Sequence, residues 1–192
     1  MTLIEEMEAY AKAYDVPIMQ KEGIDFMCAF LNEHKLTRIL EVGSAIGYSA
    51  IRMAMLHPDI HVTTIERDEQ RYARAVEFVE RSGLQEQITL LYGDALETNV
   101  EGSYDMLFID AAKAQYTRFF ERYEPLLIQG GYVITDNLNF HGLVEHPETI
   151  TSRNLRSLVR KIGNFVEYLK QREDYDTQFH DFGDGVGISR KK

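Results

Sequence analysis

Apolar residues along the chain follow two spacings, and the changes between them divide the sequence into helices and short strands. Residues 2–14 and 20–35 carry apolar side chains at helical spacing, most clearly at Ile24, Met27, Phe30 and Leu31. Further helices are predicted over 46–57, 68–83, 114–127 and 151–172, the second of which ends at the capping residue Gly83. Short apolar runs predict buried strands over 38–43, 61–66, 88–92, 104–110 and 132–135.

The order of these elements indicates the fold class. Buried strands that alternate with amphipathic helices are typical of parallel strands joined by crossover helices. The end of the chain differs, because two strand-like runs, 175–182 and 186–190, are joined by Gly183-Asp184-Gly185, which predicts a hairpin. The sequence therefore predicts a doubly wound α/β sheet of about seven strands, mostly parallel, with a C-terminal antiparallel hairpin and helices on both faces. We expect one domain over residues 1–192, with N-terminal helices over 1–35 and a core over 36–192.

Composition narrows the possible functions. The 31 acidic and 21 basic residues give a net charge of −10, which argues against a broad basic face for nucleic acid. A local basic patch is still possible at Arg153, Arg156, Arg160 and Lys161, and the three arginines share one helix face by their spacing. The alternative is a solvated helix face balanced by Glu167 and Glu173.

The sequence also bears on the cellular compartment of the protein. Cys28 is the one cysteine of the 192 residues, which excludes an intrachain disulfide and a cysteine-built zinc site. The sequence has neither an apolar run of membrane-spanning length nor a basic start followed by an apolar stretch. We therefore expect a cytoplasmic protein with no membrane partner.

Chemistry-bearing residues follow the predicted strands at their carboxyl ends, where ligands bind in open α/β sheets. After the first strand, Gly43 and Gly47 permit close backbone approach, but Ala45 replaces the second glycine of the dinucleotide motif. Glu66 lies 23 residues after Gly43, the spacing at which an acidic residue binds ribose hydroxyls. This combination, with Asp94, favours an adenosine ligand without phosphates, such as S-adenosylmethionine. A tight turn alone, a nicotinamide dehydrogenase and a non-catalytic adenosine sensor are the alternatives.

A second group of polar residues predicts a metal site. Asp110, Asp136 and Asn137 offer three hard oxygen ligands from two strand ends, a set that suits Mg²⁺, Mn²⁺ or Ca²⁺. Lys113 follows Asp110 by three residues, and near a cation its amine could accept a proton. The alternatives are that both aspartates terminate strands, that Asp136-Asn137 is a turn, and that Lys113 is a surface residue.

Four motifs in order resemble one family. They are Glu41-Val-Gly-Ser-Ala-Ile-Gly-Tyr-Ser49, Phe108-Ile-Asp-Ala-Ala-Lys113, Thr135-Asp-Asn137 and Gly183-Asp-Gly-Val-Gly-Ile-Ser189. From about residue 16 onward the chain resembles the cation-dependent O-methyltransferases, which include the caffeoyl-CoA and catechol enzymes. It looks most like the short bacterial group that includes the tRNA 5-hydroxyuridine methyltransferase. The resemblance implies a Rossmann-like methyltransferase fold and a homodimer.

The resemblance also implies residue roles. Glu66 would hold the ribose of S-adenosylmethionine, and Asp94 and Ala95 would border its adenine. The methionine part or its approach would be lined by Met19, Glu41, Gly43, Tyr48 and Ser49, and Asp110 would also contact the cofactor. Mg²⁺ would be bound by Asp110, Asp136 and Asn137. Lys113 stands at the position of the general base, so Lys113 and Asp110 are the expected catalytic residues.

Metal chelation limits the substrate to a hydroxyl beside a second oxygen on a planar ring. The 5-hydroxyuridine of a tRNA wobble position and the catechols both have this pair, so small phenolic substrates are the alternative to tRNA. Phe140 and His141 could stack on such a ring, and the three arginines could contact phosphates. A shorter N-terminal segment and a compact loop after Asn137 argue against a bulky CoA ester.

Overall fold

The structure is a computed structural model that describes residues 1–139, 143–144, 150–181 and 183–192. Its helices are α1 (Leu3–Ala13), α2 (Lys21–His34), α3 (Tyr48–Ala54), α4 (Glu69–Ser82), α5 (Tyr116–Tyr123) and α6 (Arg153–Gln171). Its strands are β1 (Arg38–Val42), β2 (His61–Glu66), β3 (Ile88–Tyr92), β4 (Tyr104–Ile109), β5 (Leu127–Thr135), β6 (Tyr175–His180) and β7 (Val186–Lys191). Short 3₁₀ turns at Lys113–Gln115 and Glu124–Leu126 flank α5.

The strands form a seven-stranded mixed sheet in the order β3-β2-β1-β4-β5-β7-β6. β1 pairs with β2, β2 with β3 and β4 with β5 in parallel, whereas β7 pairs antiparallel with β5 and β6. The predicted fold class, a mostly parallel α/β sheet that ends in an antiparallel hairpin, is confirmed. The chain comprises two compact units, Met1–Glu101 and Gly102–Lys192. The single-domain interpretation stays a prediction.

The first unit places helices α1–α4 around three parallel strands. The β1 side chains Ile39, Leu40 and Val42 are at most 1% exposed, which is the burial expected of an inner parallel strand. A capping box at Thr2 begins α1, and the Asp68 carboxylate caps α4 by accepting from the Arg71 amide at 2.9 Å. Both helices therefore begin at a residue whose side chain accepts from an otherwise free backbone amide.

The second unit joins the hairpin to the strand that carries Asp136. In β5, Thr135 lies opposite Gly187 of β7, and Ile109 of β4 lies opposite Thr135 on the other side. Phe165 of α6 packs edge-on against Tyr116, with ring centroids 5.5 Å apart. The carboxyl end of β5 therefore lies between the parallel strand β4 and the antiparallel strand β7, and the Tyr116–Phe165 contact packs in the same unit.

Three predicted elements need corrected boundaries. The helix predicted over 114–127 is shorter, and β5 begins at Leu127 instead of residue 132. The Gly130–Gly131 pair lies within the strand, because a Cβ at Gly131 would stand 2.9 Å from the Asp105 carbonyl oxygen and glycine permits that approach. The helix predicted over 46–57 spans only α3. Among the described residues, no helix is long and apolar enough to cross a membrane.

Candidate active site

The loop between β1 and α3 turns through three left-handed residues. Gly43, Ala45 and Gly47 have φ values of 103°, 45° and 82°. The amides of Gly43 and Ser44 both donate to the Ile65 carbonyl, at 3.0 and 3.2 Å, which anchors the loop to the end of β2. Gly43 is half-buried, whereas Gly47 is buried and a Cβ there would lie 3.5 Å from Ala75, so close approach of a ligand to the backbone at both glycines stays a prediction.

Glu66 connects this loop to the next one. Its Oε2 accepts from the Ala45 amide at 2.8 Å, and its Oε1 accepts from the Asp68 amide at 2.8 Å. The side chain is buried, with the residue 7% exposed. Each carboxylate oxygen keeps a free acceptor direction beside its backbone partner, so Glu66 can also accept ribose hydroxyls. Its assignment to the ribose stays a prediction.

Glu41 is a different kind of carboxylate, because it is completely buried. It accepts a hydrogen bond from the Ser49 hydroxyl and another from Thr64 Oγ1, the latter at 2.5 Å. Glu41 and Ser49, both expected to line the methionine part of the cofactor, are thus brought into contact with each other. The two hydrogen bonds to Glu41 connect the start of α3 to β1 and β2, and they hold the base of the loop in place.

The Tyr48 hydroxyl points toward α1. It donates to Glu8 Oε1 at 2.7 Å and accepts from Arg52 at 3.2 Å, and burial raises its pKa to about 12. The Ser44 hydroxyl is also buried, and it has no hydrogen-bond partner among the described residues. A buried hydroxyl without a partner carries a desolvation cost that a bound ligand could offset.

The remaining predicted cofactor contacts differ in exposure. The Asp94 side chain is 42% exposed and lies 3.8 Å from an Arg67 guanidinium nitrogen, while its Oδ1 accepts from the Leu96 amide at 2.8 Å. Ala95 and Met19 are 8% and 5% exposed. Asp94 is therefore accessible to a ligand, whereas Met19 packs beside Gly23 of α2.

The predicted metal ligands lie together in the second unit. Asp110 follows β4 and Asp136 follows β5, and these strands are paired in parallel with Ile109 opposite Thr135. The Asp136 amide continues that ladder by donating to the Ile109 carbonyl at 3.4 Å. Asn137 then turns the chain with a φ of 61°, and its amide donates to Asp136 Oδ1 at 2.8 Å. The sequence prediction that these side chains share one edge of the sheet agrees with this geometry.

The two carboxylates repel each other. Burial and the Asp136 charge raise the pKa of Asp110 to about 7, against a smaller lowering by the Lys113 ammonium. Burial likewise raises the pKa of Asp136, which is 7% exposed. Paired carboxylates with raised pKa values form a site that a cation would stabilise.

Lys113 supplies a positive charge at this site. Its Nζ donates a hydrogen bond to Asn137 Oδ1, which brings the ammonium to the third expected ligand. The residue begins the 3₁₀ turn that follows Asp110, and it is half-buried. Both the role of Lys113 as a general base and the alternative of a surface lysine therefore stay predictions.

The donor set fits a hard divalent ion by its chemistry. Two carboxylates and one amide oxygen are ligands of the type that Mg²⁺ prefers, and Lys113 shows that the cluster already attracts a cation. Among the described residues, no three His, Cys, Asp or Glu side chains form a group that could hold a metal ion. The metal itself stays a prediction.

Two further residues belong to this cluster, although the sequence offered little sign of them. The Tyr116 hydroxyl is buried and donates to the Asp136 carbonyl at 3.0 Å. Burial and the charges of Asp110, Asp136 and Asp184 raise its pKa well above the usual value. Asp184 was interpreted only as part of a hairpin turn, and its nearness depends on strand pairing. Phe140 and His141, the predicted ring-stacking residues, lie outside the described residues.

The predicted basic patch lies on the exposed side of α6. Arg153, Arg156, Arg160 and Lys161 are all exposed, and Arg156 donates to the Ile150 carbonyl at 2.7 Å. Glu167, one of the two residues expected to balance the patch, pairs instead with Lys170 at 2.8 Å. In the described part of the chain, none of the four forms an ion pair with a carboxylate.

Comparison with known proteins identifies the family. A profile of the family described as O-methyltransferase matches residues 2–192. The chain belongs to the O-methyltransferase family. This O-methyltransferase is 27% identical over 204 residues to caffeoyl-CoA O-methyltransferase of Populus kitakamiensis, covering 98% of this chain and 86% of that protein.

Solved structures agree with this assignment. A Staphylococcus aureus protein provisionally called a caffeoyl-CoA O-methyltransferase is 40% identical to this O-methyltransferase, with a TM-score of 0.95 over 100% of this chain and 93% of that one. The Bacillus cereus O-methyltransferase, solved in complex with SAH, has a TM-score of 0.86 at 24% identity, covering 99% of this chain and 90% of that one. The predicted enzyme class and Rossmann-like methyltransferase fold are confirmed.

Proposed function

We propose that this O-methyltransferase transfers the methyl group of S-adenosylmethionine to a hydroxyl beside a second oxygen, and that the reaction requires a divalent ion. We further propose that the substrate is 5-hydroxyuridine at the tRNA wobble position. The cluster of Asp110, Asp136, Asn137 and Lys113 is the observation that carries the chemistry. Relatives bound to SAH or SAM support the methyl donor.

The donor would be held by the first unit. Glu66 offers acceptor directions beyond its two backbone partners, and the partly exposed Asp94 offers another carboxylate. The cation of a sulfonium donor also suits a surface of net negative charge. These features favour a donor without phosphates over a dinucleotide, whose pyrophosphate would be repelled.

The metal would be held by Asp110, Asp136 and Asn137. When bound, a divalent ion supplies positive charge that lowers the pKa of a coordinated hydroxyl and orients it. The Asn137 amide oxygen has two lone pairs, so it can accept from Lys113 and still serve as a ligand. Lys113 Nζ lies beside this ligand, so in its neutral amine form it would be the protein atom placed to receive the hydroxyl proton.

The α6 arginines support tRNA over a small phenol. Arg153 and Arg156 occupy the first turn of α6, which has no acidic residue, so their charges oppose the positive end of the helix dipole. Such placement costs roughly 0.3–1 kcal/mol per charge at an exposed site. A bound phosphate would turn that cost into a favourable interaction, and phosphates are what tRNA presents.

The deciding experiment measures methyl transfer from labelled S-adenosylmethionine to tRNA that carries 5-hydroxyuridine and, in parallel, to a panel of catechols. We expect methylated nucleoside by mass spectrometry, and EDTA should abolish its formation while added Mg²⁺ restores it. Turnover of catechols with tRNA left unmodified would assign the small phenolic substrates instead. Methyl transfer that persists in EDTA would contradict the metal requirement.

A further inference from the structure

The turn between β6 and β7 contacts the segment that carries two of the predicted metal ligands. The Leu138 amide donates to the Gly185 carbonyl at 2.9 Å, and the Asn139 amide donates to the Asp184 carbonyl at 2.8 Å. These hydrogen bonds begin at the residue directly after Asn137, whose φ of 61° is unusual for a residue with a side chain. Asparagine adopts this left-handed conformation more readily than most residues, and the two hydrogen bonds fix the segment that follows it.

The turn can approach this closely only because it contains glycine. A Cβ at Gly185 would lie 2.7 Å from the Asn139 backbone nitrogen and 2.8 Å from its Cβ. A Cβ at Gly187 would lie 2.6 Å from Leu138 Cδ1, the flexible end of a side chain. Gly183 also has a positive φ, 62°, but a Cβ there would meet nothing within 4 Å. A Cβ would therefore meet the backbone of the segment Asp136–Asn139 at Gly185, a side chain of that segment at Gly187, and no atom within 4 Å at Gly183.

We propose that the β6–β7 turn, with Gly185 as its positioning residue, holds the segment Asp136–Asn139 in the arrangement that binds the divalent ion. Two of the three nearest atoms are backbone atoms of Asn139 and the third is its Cβ, so a side chain at position 185 displaces the segment instead of repacking against it. The proposal rests on the metal-dependent reaction proposed above. It gives the Gly-Asp-Gly sequence a role beyond closing a hairpin.

The test titrates Mn²⁺ alone into the wild type and into the Gly185→Ala and Gly183→Ala variants, and follows free Mn²⁺ by electron paramagnetic resonance. We expect Gly185→Ala to weaken Mn²⁺ binding by about tenfold or more, and Gly183→Ala to stay within about twofold of the wild type. Gly183→Ala is the matched control, because both positions have positive φ and only one has a neighbour. The affinity for S-adenosylhomocysteine should stay unchanged in both variants.

Kinetics add a second readout. A positioning role predicts that Gly185→Ala raises the Mg²⁺ concentration needed for half-maximal turnover, while saturating Mg²⁺ restores most of kcat. General structural damage would lower kcat at every Mg²⁺ concentration and weaken cofactor binding as well. That result would overturn the proposal.

Two further outcomes are decisive. If the wild type binds Mn²⁺ and Gly185→Ala binds it equally well, the positioning role is wrong although the metal-dependent function stands. If the wild type binds no Mn²⁺, the metal-dependent function itself is wrong. Should Gly185→Ala fail to fold, Gly187→Ala replaces it, and we expect about a threefold weakening because Leu138 can partly move aside. Wild-type affinity in Gly187→Ala would then overturn the proposal.

Discussion

The Glu66 carboxylate joins two loops of the first unit, and it is also the predicted acceptor for the ribose hydroxyls. Its oxygens accept from the amides of Ala45 and Asp68, and the same oxygens are expected to accept from ribose hydroxyls. Replacing Glu66 with Gln converts one acceptor into a donor, and because each oxygen accepts from a backbone amide, the change also removes one of these two bonds. Loss of hydrogen bonds to a charged acceptor costs roughly 1–3 kcal/mol.

We therefore expect Glu66→Gln to weaken S-adenosylhomocysteine binding by about tenfold or more, measured by calorimetry. Asp68→Ala is the control, because the Asp68 side chain caps α4 through the Arg71 amide. It should lower the free energy of unfolding by about 1 kcal/mol without changing the ligand affinity. Equal affinity in the wild type and Glu66→Gln would remove the ribose assignment.

A substitution at a predicted metal ligand should weaken metal binding and leave cofactor binding unchanged. Asp136→Asn keeps the side-chain shape and removes one negative charge, so Mn²⁺ affinity should fall by about tenfold or more. The affinity for S-adenosylhomocysteine should stay within about twofold, because Asp136 is not among the expected cofactor contacts. Asp176→Asn, an exposed substitution on β6, is the charge-matched control. A Mn²⁺ affinity that Asp136→Asn leaves intact would contradict the proposed ligand set.

At the scale of elements, periodicity predicts a helix or strand well where burial in the core alone determines its pattern of apolar residues. The β1 and β2 runs were predictable because burial on both faces requires continuous apolar residues. The start of β5 was not, because Gly130–Gly131 has the composition of a turn. The Asp105 carbonyl oxygen, which would lie 2.9 Å from a Cβ at Gly131, explains why this strand position requires glycine. Likewise, Asp110 and Asp136 could be predicted as candidate ligands because each follows a strand in the sequence. The position of Asp184 near them could not be predicted, because it depends on the pairing of β7 with β5.

The junction of α6 with β6 also depends on a tertiary contact. The Arg172 guanidinium donates to Glu124, to Asp174 and to the Tyr168 hydroxyl, at distances from 2.5 to 3.2 Å. It also lies 4.9 Å from the centroid of the Tyr175 ring. Since the Arg172 side chain is only 20% exposed, these bonds are protected from solvent more than those of a surface ion pair.

Arg172→Met should lower the free energy of unfolding in urea by about 1–3 kcal/mol, because it leaves the partly buried Glu124 carboxylate without its cation. Lys170→Met in the last turn of α6 is the control, since the Lys170 side chain is 52% exposed and its ion pair with Glu167 lies at the surface. We expect that change to stay within about 0.5 kcal/mol. An Arg172→Met protein as stable as the wild type would show that the cluster contributes little to the fold.

At the scale of the whole molecule, net charge and local charge act against each other. The chain carries a formal charge of −10, which repels a polyanion at long range, while the exposed arginines of α6 attract phosphates at short range. Salt screens the long-range repulsion within about 8 Å at physiological ionic strength. A small catechol has no phosphates and should be insensitive to either effect, so the salt response of binding distinguishes the two substrate classes.

We expect tRNA affinity to fall as salt rises, and the Arg153→Gln, Arg156→Gln, Arg160→Gln triple variant to reduce the slope of log K against log salt by about 2–3, since each phosphate contact contributes roughly 0.7–0.9. Lys170→Gln, which removes one charge from the other end of α6, is the control and should leave the slope nearly unchanged. Filter binding over a range of KCl concentrations measures both. Because the arginines lie outside the metal cluster, methylation of a free 5-hydroxyuridine nucleoside should be equal in the triple variant and the wild type. A triple variant with the wild-type slope would place the tRNA contacts elsewhere on the protein.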